Sequence, residues 1–197
     1  MSAPNFVFLI HGGAGVIGRE VDREPYTRAL KEILVKTFKF ALAFHTAVDI
    51  VEYAVSLLED EPLFNAGKGA VFAADGTHQL EASLMDGASL RCGAVSMIRT
   101  MKNPINTARI VMEHTNHNWI CGGAAEALGV QHGLAVVENS YFDTEVRRKQ
   151  LETAKATSSS TVFRDHDLLD DSTGTVGCVC MYDGPCGQRH IDWRTDK

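Results

Sequence analysis

No apolar run in this sequence reaches the roughly 18 residues needed to cross a bilayer, so no helical membrane span is expected. Basic residues are in the minority. The 19 Lys and Arg against 25 Asp and Glu leave a formal charge of −6, a poor match for a nucleic-acid surface. The eight histidines would offset this only at acid pH, and the compact run Arg147, Arg148, Lys149 reads as a solvated helix face. Cysteine is scarce as well. Cys92, Cys121, Cys178, Cys180 and Cys186 make an odd count without C-x-x-C spacing, which argues against a disulfide framework or a zinc site. Reduced, buried thiols in a cytoplasmic protein are expected, with Cys178 and Cys180 on one face of a strand. His114 and His117 have no third ligand close by in sequence and read as helix C-terminal residues that favour the dipole. Internal repeats and heptads are absent too.

What is present is the composition of a soluble globular protein, 45% hydrophobic and 22% charged, long enough for a single domain over residues 1–197 with a substantial core. The opening MSAPNFVFLIHGG has a short apolar core and no basic region ahead of it. It reads as a strand buried on both faces rather than a signal peptide. Residues 26–58 carry helical periodicity, with Leu30, Ile33, Leu34, Thr37 and Phe38 on one stripe and Val48, Val51, Val55 and Leu58 on a second. The segments AVFA, QLEASLMDG and CGAVSMI, separated by turn signals, suggest antiparallel strands. Helices are predicted at NPINTARIVMEHT, with Asn103 as cap and Pro104 in the first turn, and at GGAAEALG and DTEVRRKQLETAKA. Residues 156–174 read as an exposed linker, and TVGCVCMY as a central strand. Helices layered on sheets, an α+β arrangement, is the class this order implies.

The glycine-rich HGGAGVIG admits several readings. Gly13, Gly15 and Gly18 fit the dinucleotide spacing G-x-G-x-x-G, but the polar REVDREP that follows does not open an apolar-faced helix. An esterase oxyanion loop would demand a G-x-S-x-G elbow, and GASLR lacks its last glycine. A loop that lets another segment approach its backbone, or simply a strand-to-helix turn, remains.

Thr175 stands where the acidic LLDDSTG gives way to apolar TVGCVCMY. An internal threonine hydroxyl is a weak nucleophile and ordinarily a satisfied polar group. Cutting the Gly174–Thr175 bond changes this, because the new α-amine, with a pKa of about 7.7–8.0, can act as general base for its own hydroxyl. Gly174 leaves its carbonyl open to attack, the linker gives room, and the strand holds the nucleophile still.

HGGAG, VDIVEYAVSLLEDEPLFNAGKGAVF, HQLEASLMDG, CGAVSMIRTMKNPINTARIVME and GTVGCV, in this order, resemble the plant-type L-asparaginase/isoaspartyl peptidase family of N-terminal-nucleophile hydrolases. The resemblance implies an αββα sandwich that is incomplete at the C-terminus. Residues 1–174 would be an α-subunit-like segment, and residues 175–197 the start of a β-subunit-like one. It implies self-cleavage between Gly174 and Thr175, Thr175 as nucleophile, Asn65 organising it, and Gly12, Gly13 and Gly15 lining the cleavage site. Substrates would be L-asparagine or β-aspartyl dipeptides, with no organic cofactor, no nucleic-acid or membrane partner, and a homodimer of αβ units in the completed form. It further implies a structural alkali cation, typically sodium, held by the backbone carbonyls of Leu58, Glu59, Glu61, Phe64, Ala66 and Lys68. A hard cation with oxygen ligands would keep such a loop rigid.

The sequence departs from that pattern after Thr175. It lacks the family's second-threonine segment, its GRVGDS-like substrate-gripping segment and its GTGE-like segment, so the chain as written is expected to have little amidase activity. A catalytically silent fragment and an unrelated nucleotide-binding α/β domain are the alternatives. The charged tail RHIDWRTDK gives the TVGCVCMY strand no expected partner on one side. AFHTAV, in place of a Gly-Gly-Ser-like turn, and the short WICGGAAEALG are read as local changes.

Overall fold

A computed structural model describes residues 5–13, 22–43, 46–157, 175–183 and 189–192. The chain runs β1 (Asn5–His11), α1 (Glu24–Ala41), α2 (Ala47–Glu59), β2 (Leu80–Met85) and β3 (Cys92–Ile98). It continues through α3 (Pro104–His114), β4 (Trp119–Cys121), α4 (Gly122–Gln131), α5 (Glu145–Thr157), β5 (Gly177–Asp183) and β6 (Arg189–Asp192). These strands form two three-stranded sheets, ordered β1-β5-β6 and β2-β3-β4. Helices α1 and α2 pack on the first sheet, and α3 and α4 on the second.

Local chemistry sets the helix boundaries. Thr46 and Asp49 form a reciprocal capping box at α2. The Asp49 N–H donates to Thr46 Oγ1 at 3.2 Å, and the Thr46 N–H donates to Asp49 Oδ2 at 2.9 Å. The departure at AFHTAV is thus a competent helix start. Pro104 occupies the first turn of α3, where its missing N–H is no loss. Asn103 does not cap that helix, contrary to expectation. Its amide instead donates to Ser56 O and Asp60 Oδ1, tying the start of α3 to the end of α2.

Period-2 patterning gives each sheet a covered face and a bare one. In β1, Phe6, Phe8 and Ile10 pack onto the core cluster, while Val7 and Leu9 are 57% and 66% exposed. The expectation of a strand buried on both faces is therefore corrected among the described residues: the uniformly apolar sequence supplies two apolar faces, and the helices cover one. In β2 and β3, Leu80, Ala82, Leu84, Gly93, Val95 and Ile98 are buried and Met97 is exposed. Pairing shifts by one residue between Leu80 and Ala82, and Met97 takes a left-handed φ of 57° in the resulting bulge.

The α1 stripe is also rotated from its expected position. Ala29, Ile33, Thr37 and Ala41 are buried, whereas Leu34 and Phe38 are 41% and 49% exposed beside an open apolar groove along β1. The α2 stripe holds, since Val51, Val55 and Leu58 are buried and Val48 is packed against the core. AVFA, at 70–73, is not a strand but extended chain after a short 3-10 turn at Gly67–Gly69. WICGGAAEALG contains an unanticipated strand, β4, parallel to β3.

β5 is central, as expected, but its second neighbour was not foreseen. The segment Arg189–Asp192, read as part of a charged tail, pairs antiparallel with Cys180–Asp183. Backbone hydrogen bonding is indifferent to side-chain charge, so the charge pattern concealed the strand. Cys178 and Cys180 are buried on one face, but Cys121 is exposed and Cys92 only half-buried, so the expectation of uniformly buried thiols is corrected. Cys186 and positions 158–174 of the expected linker lie outside the described residues. His114 closes α3, and its ring lies 4.9 Å from that of His132.

Candidate active site

β5 begins two residues after Thr175. Its neighbour β1 pairs in a register that sets His11 opposite Gly177. Carried two residues further, this register brings Gly12 and Gly13 level with Val176 and Thr175. The glycine loop and the candidate nucleophile therefore leave the same end of one strand pair. Gly13 has a φ of 136°, a region that side chains rarely adopt. Gly12 meets a third segment: a Cβ placed there would fall 2.3 Å from Phe64 Cε1. Phe64, Ala66 and Val176 belong to one buried cluster, so Asn65, between the first two, is carried on a loop anchored in the core that anchors Thr175.

The Thr175 hydroxyl is buried, and among the described residues it has no hydrogen-bond partner. A buried, unsatisfied hydroxyl is unfavourable and demands a reason, of which reserve for chemistry is one; Thr37 and Thr107 share the condition, and what sets Thr175 apart is its place beside the glycine loop. Asn65 Oδ1 accepts the Val71 N–H at 2.9 Å, a bond that closes the loop's end onto its middle. A cavity of about 50 Å³ lies beside it, lined by Glu59, Asn65, Val71, Gln79 and Glu81 among others. Gly15 and Gly174 lie outside the described residues.

Close backbone approach shapes the loop from Leu58 to Lys68. Gly67, at φ 47°, passes so near Glu59 that a Cβ would lie 2.3 Å from the Glu59 carbonyl oxygen. At Gly69 a Cβ would lie 2.1 Å from Phe64 O and 2.5 Å from Pro62 O. The carbonyl oxygens of Glu59 and Phe64 thus lie close against Gly67 and Gly69. Those of Leu58, Glu61 and Ala66 accept the N–H groups of Glu61, Phe64 and Gly69 at 3.3, 3.3 and 3.0 Å, and Leu58 O also accepts that of Asp60; the Glu61 and Ala66 oxygens have a second lone pair to offer. An oxygen-only donor set of this kind fits a hard monovalent ion. No cluster of three His, Cys, Asp or Glu capable of holding a metal occurs among the described residues.

Support for the loop comes from Glu59, named in the sequence reading only for its backbone carbonyl, and from side chains that sequence reasoning missed. Glu59, buried at the end of α2, accepts the Ile105 N–H at 3.0 Å through Oε1 and so holds the start of α3. Arg109 joins α3 to α2 through Asp49 at 2.7 Å and through Glu52, and it also pairs with Glu113. Burial alone would lower the Arg109 pKa, but Glu52, Asp49 and Glu113 raise it above the ordinary value. Burial likewise opposes Asp49 ionisation, yet hydrogen bonds from Thr46 and Arg109 hold its carboxyl below the usual range. His78 is fully buried, pairs through Nε2 with Asp143 at 3.0 Å and lies tilted against the Phe72 ring, 4.1 Å between centroids. Its motif, HQLEASLMDG, was legible, but its partner 65 residues away was not.

Helices layered on two three-stranded sheets, with Thr175 two residues ahead of a central strand, make this an α+β fold. A family model described as Asparaginase (Asparaginase_2) matches residues 4–184, and the chain belongs to that family. It is 41% identical over 179 residues to an isoaspartyl peptidase of Salmonella typhimurium, a match covering 88% of this chain and 57% of the relative. An isoaspartyl peptidase of Escherichia coli is 40% identical over 181 residues, covering 89% and 56%. An isoaspartyl peptidase/L-asparaginase of Rattus norvegicus is 35% identical over 177 residues, covering 90% and 52%. The chain thus spans about half the length of the curated relatives it matches. No helix among the described residues is long and apolar enough to cross a membrane.

Proposed function

We propose that this chain is the nucleophile-bearing part of an amidohydrolase that splits the side-chain amide of L-asparagine or the β-linked bond of isoaspartyl dipeptides, after cutting its own Gly174–Thr175 bond. The observation that carries the reading is the buried Thr175 hydroxyl, without a hydrogen-bond partner among the described residues, just ahead of the strand whose Gly177 pairs with His11 before the Gly12–Gly13 bend.

In the self-cleavage, Thr175 Oγ1 adds to the Gly174 carbonyl carbon and the peptide nitrogen leaves, converting the amide to an ester. Water then hydrolyses the ester, leaving a Gly174 carboxylate and a free Thr175 amine. That amine, titrating near neutrality, takes the proton of its own hydroxyl as the oxygen attacks the substrate carbonyl. Ammonia or an amino acid departs, and water releases aspartate from the second ester. Asn65, fixed through Val71, organises the nucleophile, and Gly12, Gly13 and Gly15 keep side chains out of the cleavage site. The carbonyls of Leu58, Glu59, Glu61, Phe64, Ala66 and Lys68 would hold a structural sodium ion, which would stiffen the Asn65 loop and take no part in bond making. The reading carries a cytoplasmic location, a homodimer of αβ units and small-molecule substrates with it.

Intact-mass spectrometry of the purified chain tests the proposal. Fragments ending at Gly174 and starting at Thr175 are expected, with Thr175→Ala uncut and Thr175→Ser cut more slowly. Cutting of the alanine variant at the same bond would refute the mechanism.

A further inference from the structure

The basic run at the start of α5 reads in sequence as one solvated face, but the structure sends its three side chains to different places. Lys149 is exposed and pairs with Glu145 at 2.7 Å. Arg148 pairs with Asp143 and lies over the Phe72 ring, 5.6 Å from its centroid. Arg147 is half-buried. Its Nε donates to the Gly69 carbonyl at 2.8 Å and its Nη1 to Gln150 Oε1 at 2.9 Å. The expectation of a solvated face is corrected for this residue.

Gly69 is closely held within the Asn65 loop. Its position is crowded by the Phe64 and Pro62 carbonyls, and its N–H donates to Ala66 O at 3.0 Å. Two residues on, the Val71 N–H is the donor that Asn65 Oδ1 accepts. A second tie runs alongside: Lys68 lies 4.6 Å over the Tyr141 ring, on the segment that leads into α5. We infer that Arg147 is a positioning residue, whose guanidinium fork fixes the Gly69 carbonyl and thereby sets Asn65, joining that loop to the helix whose chain continues toward Thr175. The inference rests on the reading of Asn65 as the organiser of Thr175. A planar, permanently charged fork suits this role, because it reaches two acceptors at fixed geometry and lysine cannot.

Amide hydrogen exchange, followed by NMR on the 197-residue chain, tests it. Arg147→Met is expected to speed exchange at Gly69 and Val71 by about tenfold or more, the effect of losing a charge-assisted hydrogen bond, with a smaller acceleration in Arg147→Lys. Amides of Ala82 and Val95, in the β2–β3 ladder, should be unchanged. Unaltered exchange at Val71, or an equal acceleration at Val95, overturns the inference. Gln150→Ala, which removes the Oε1 acceptor of Arg147 Nη1, should accelerate the same two amides to a lesser degree and serves if Arg147→Met does not fold. Where the wild-type chain cuts at Gly174–Thr175, Arg147→Met should cut more slowly at a temperature where both are folded, and an equal rate removes the link to the site. An uncut wild-type chain counts against the Thr175 mechanism alone, while exchange at Val71 still decides the role of Arg147.

Discussion

Replacing Gly12 by alanine inserts one methyl group where three segments converge. The new Cβ would lie 2.3, 2.7 and 3.0 Å from Cε1, Cδ1 and Cζ of Phe64. Carbon atoms rest about 3.5–4.0 Å apart, so the ring must retreat by more than about 1 Å. Phe64 is 3% exposed and contacts Tyr26, at 6.2 Å between centroids, so there is little room for that retreat. Gly12 is not among the glycines with positive φ, which leaves steric overlap rather than backbone strain as the cause. Overpacking of this kind destabilises by roughly 1–3 kcal/mol. For a chain of this size about 2 kcal/mol corresponds to a Tm lower by about 4–8 °C. Urea denaturation of four proteins decides the matter: wild type, Gly12→Ala, Phe64→Leu and the double variant. The smaller leucine should relieve the clash, giving a favourable coupling energy of about 1 kcal/mol or more between the two sites. Additive effects, or a Gly12→Ala variant within about 0.5 kcal/mol of wild type, would show that the glycine is no contact point, and the convergence of β1 with the Asn65 loop would lose its basis.

Three further outcomes are expected. Arg109→Met should destabilise by about 1–2 kcal/mol in urea titration: it removes the cation that Asp49, Glu52 and Glu113 share, but each is at least a fifth exposed, so solvent screening tempers the loss. Asp49 has a folded-state pKa below its ordinary value, so its contribution is present above the unfolded pKa, near 4, and is lost as pH falls through the folded one. Asp49→Asn, which preserves a capping acceptor, should therefore flatten the fall in Tm below about pH 4, and an unchanged acid limb would contradict this. Exchanging sodium for choline at constant ionic strength should lower Tm by about 3–6 °C if sodium was at tenfold its Kd, and equal Tm values would exclude the ion from the Leu58–Lys68 carbonyls.

Much of the fold was legible because it follows from local rules. Helical periodicity placed α2, a proline suited to a first turn placed α3, short apolar segments between turn signals placed β2 and β3, and an apolar run placed β5 at the centre of its sheet. Misreadings arose where the side-chain pattern and the backbone diverge. β6 pairs through main-chain groups despite its charged residues, and β1 looks fully buried because both its faces are apolar. The motifs around Gly12, Asn65 and Thr175 could be named as separate segments, but nothing local said that they would meet.

The chain's own order of residues determined which groups are chemically suited to amide hydrolysis. It supplies a threonine after glycine, glycines where backbones must pass closely, and a carbonyl-rich loop without regular structure. Only tertiary structure decided which of them share a place. The β1–β5 register, the Gly12–Phe64 contact and the reach of Arg147 across 78 positions to Gly69 depend on long-range packing, which no window of sequence contains.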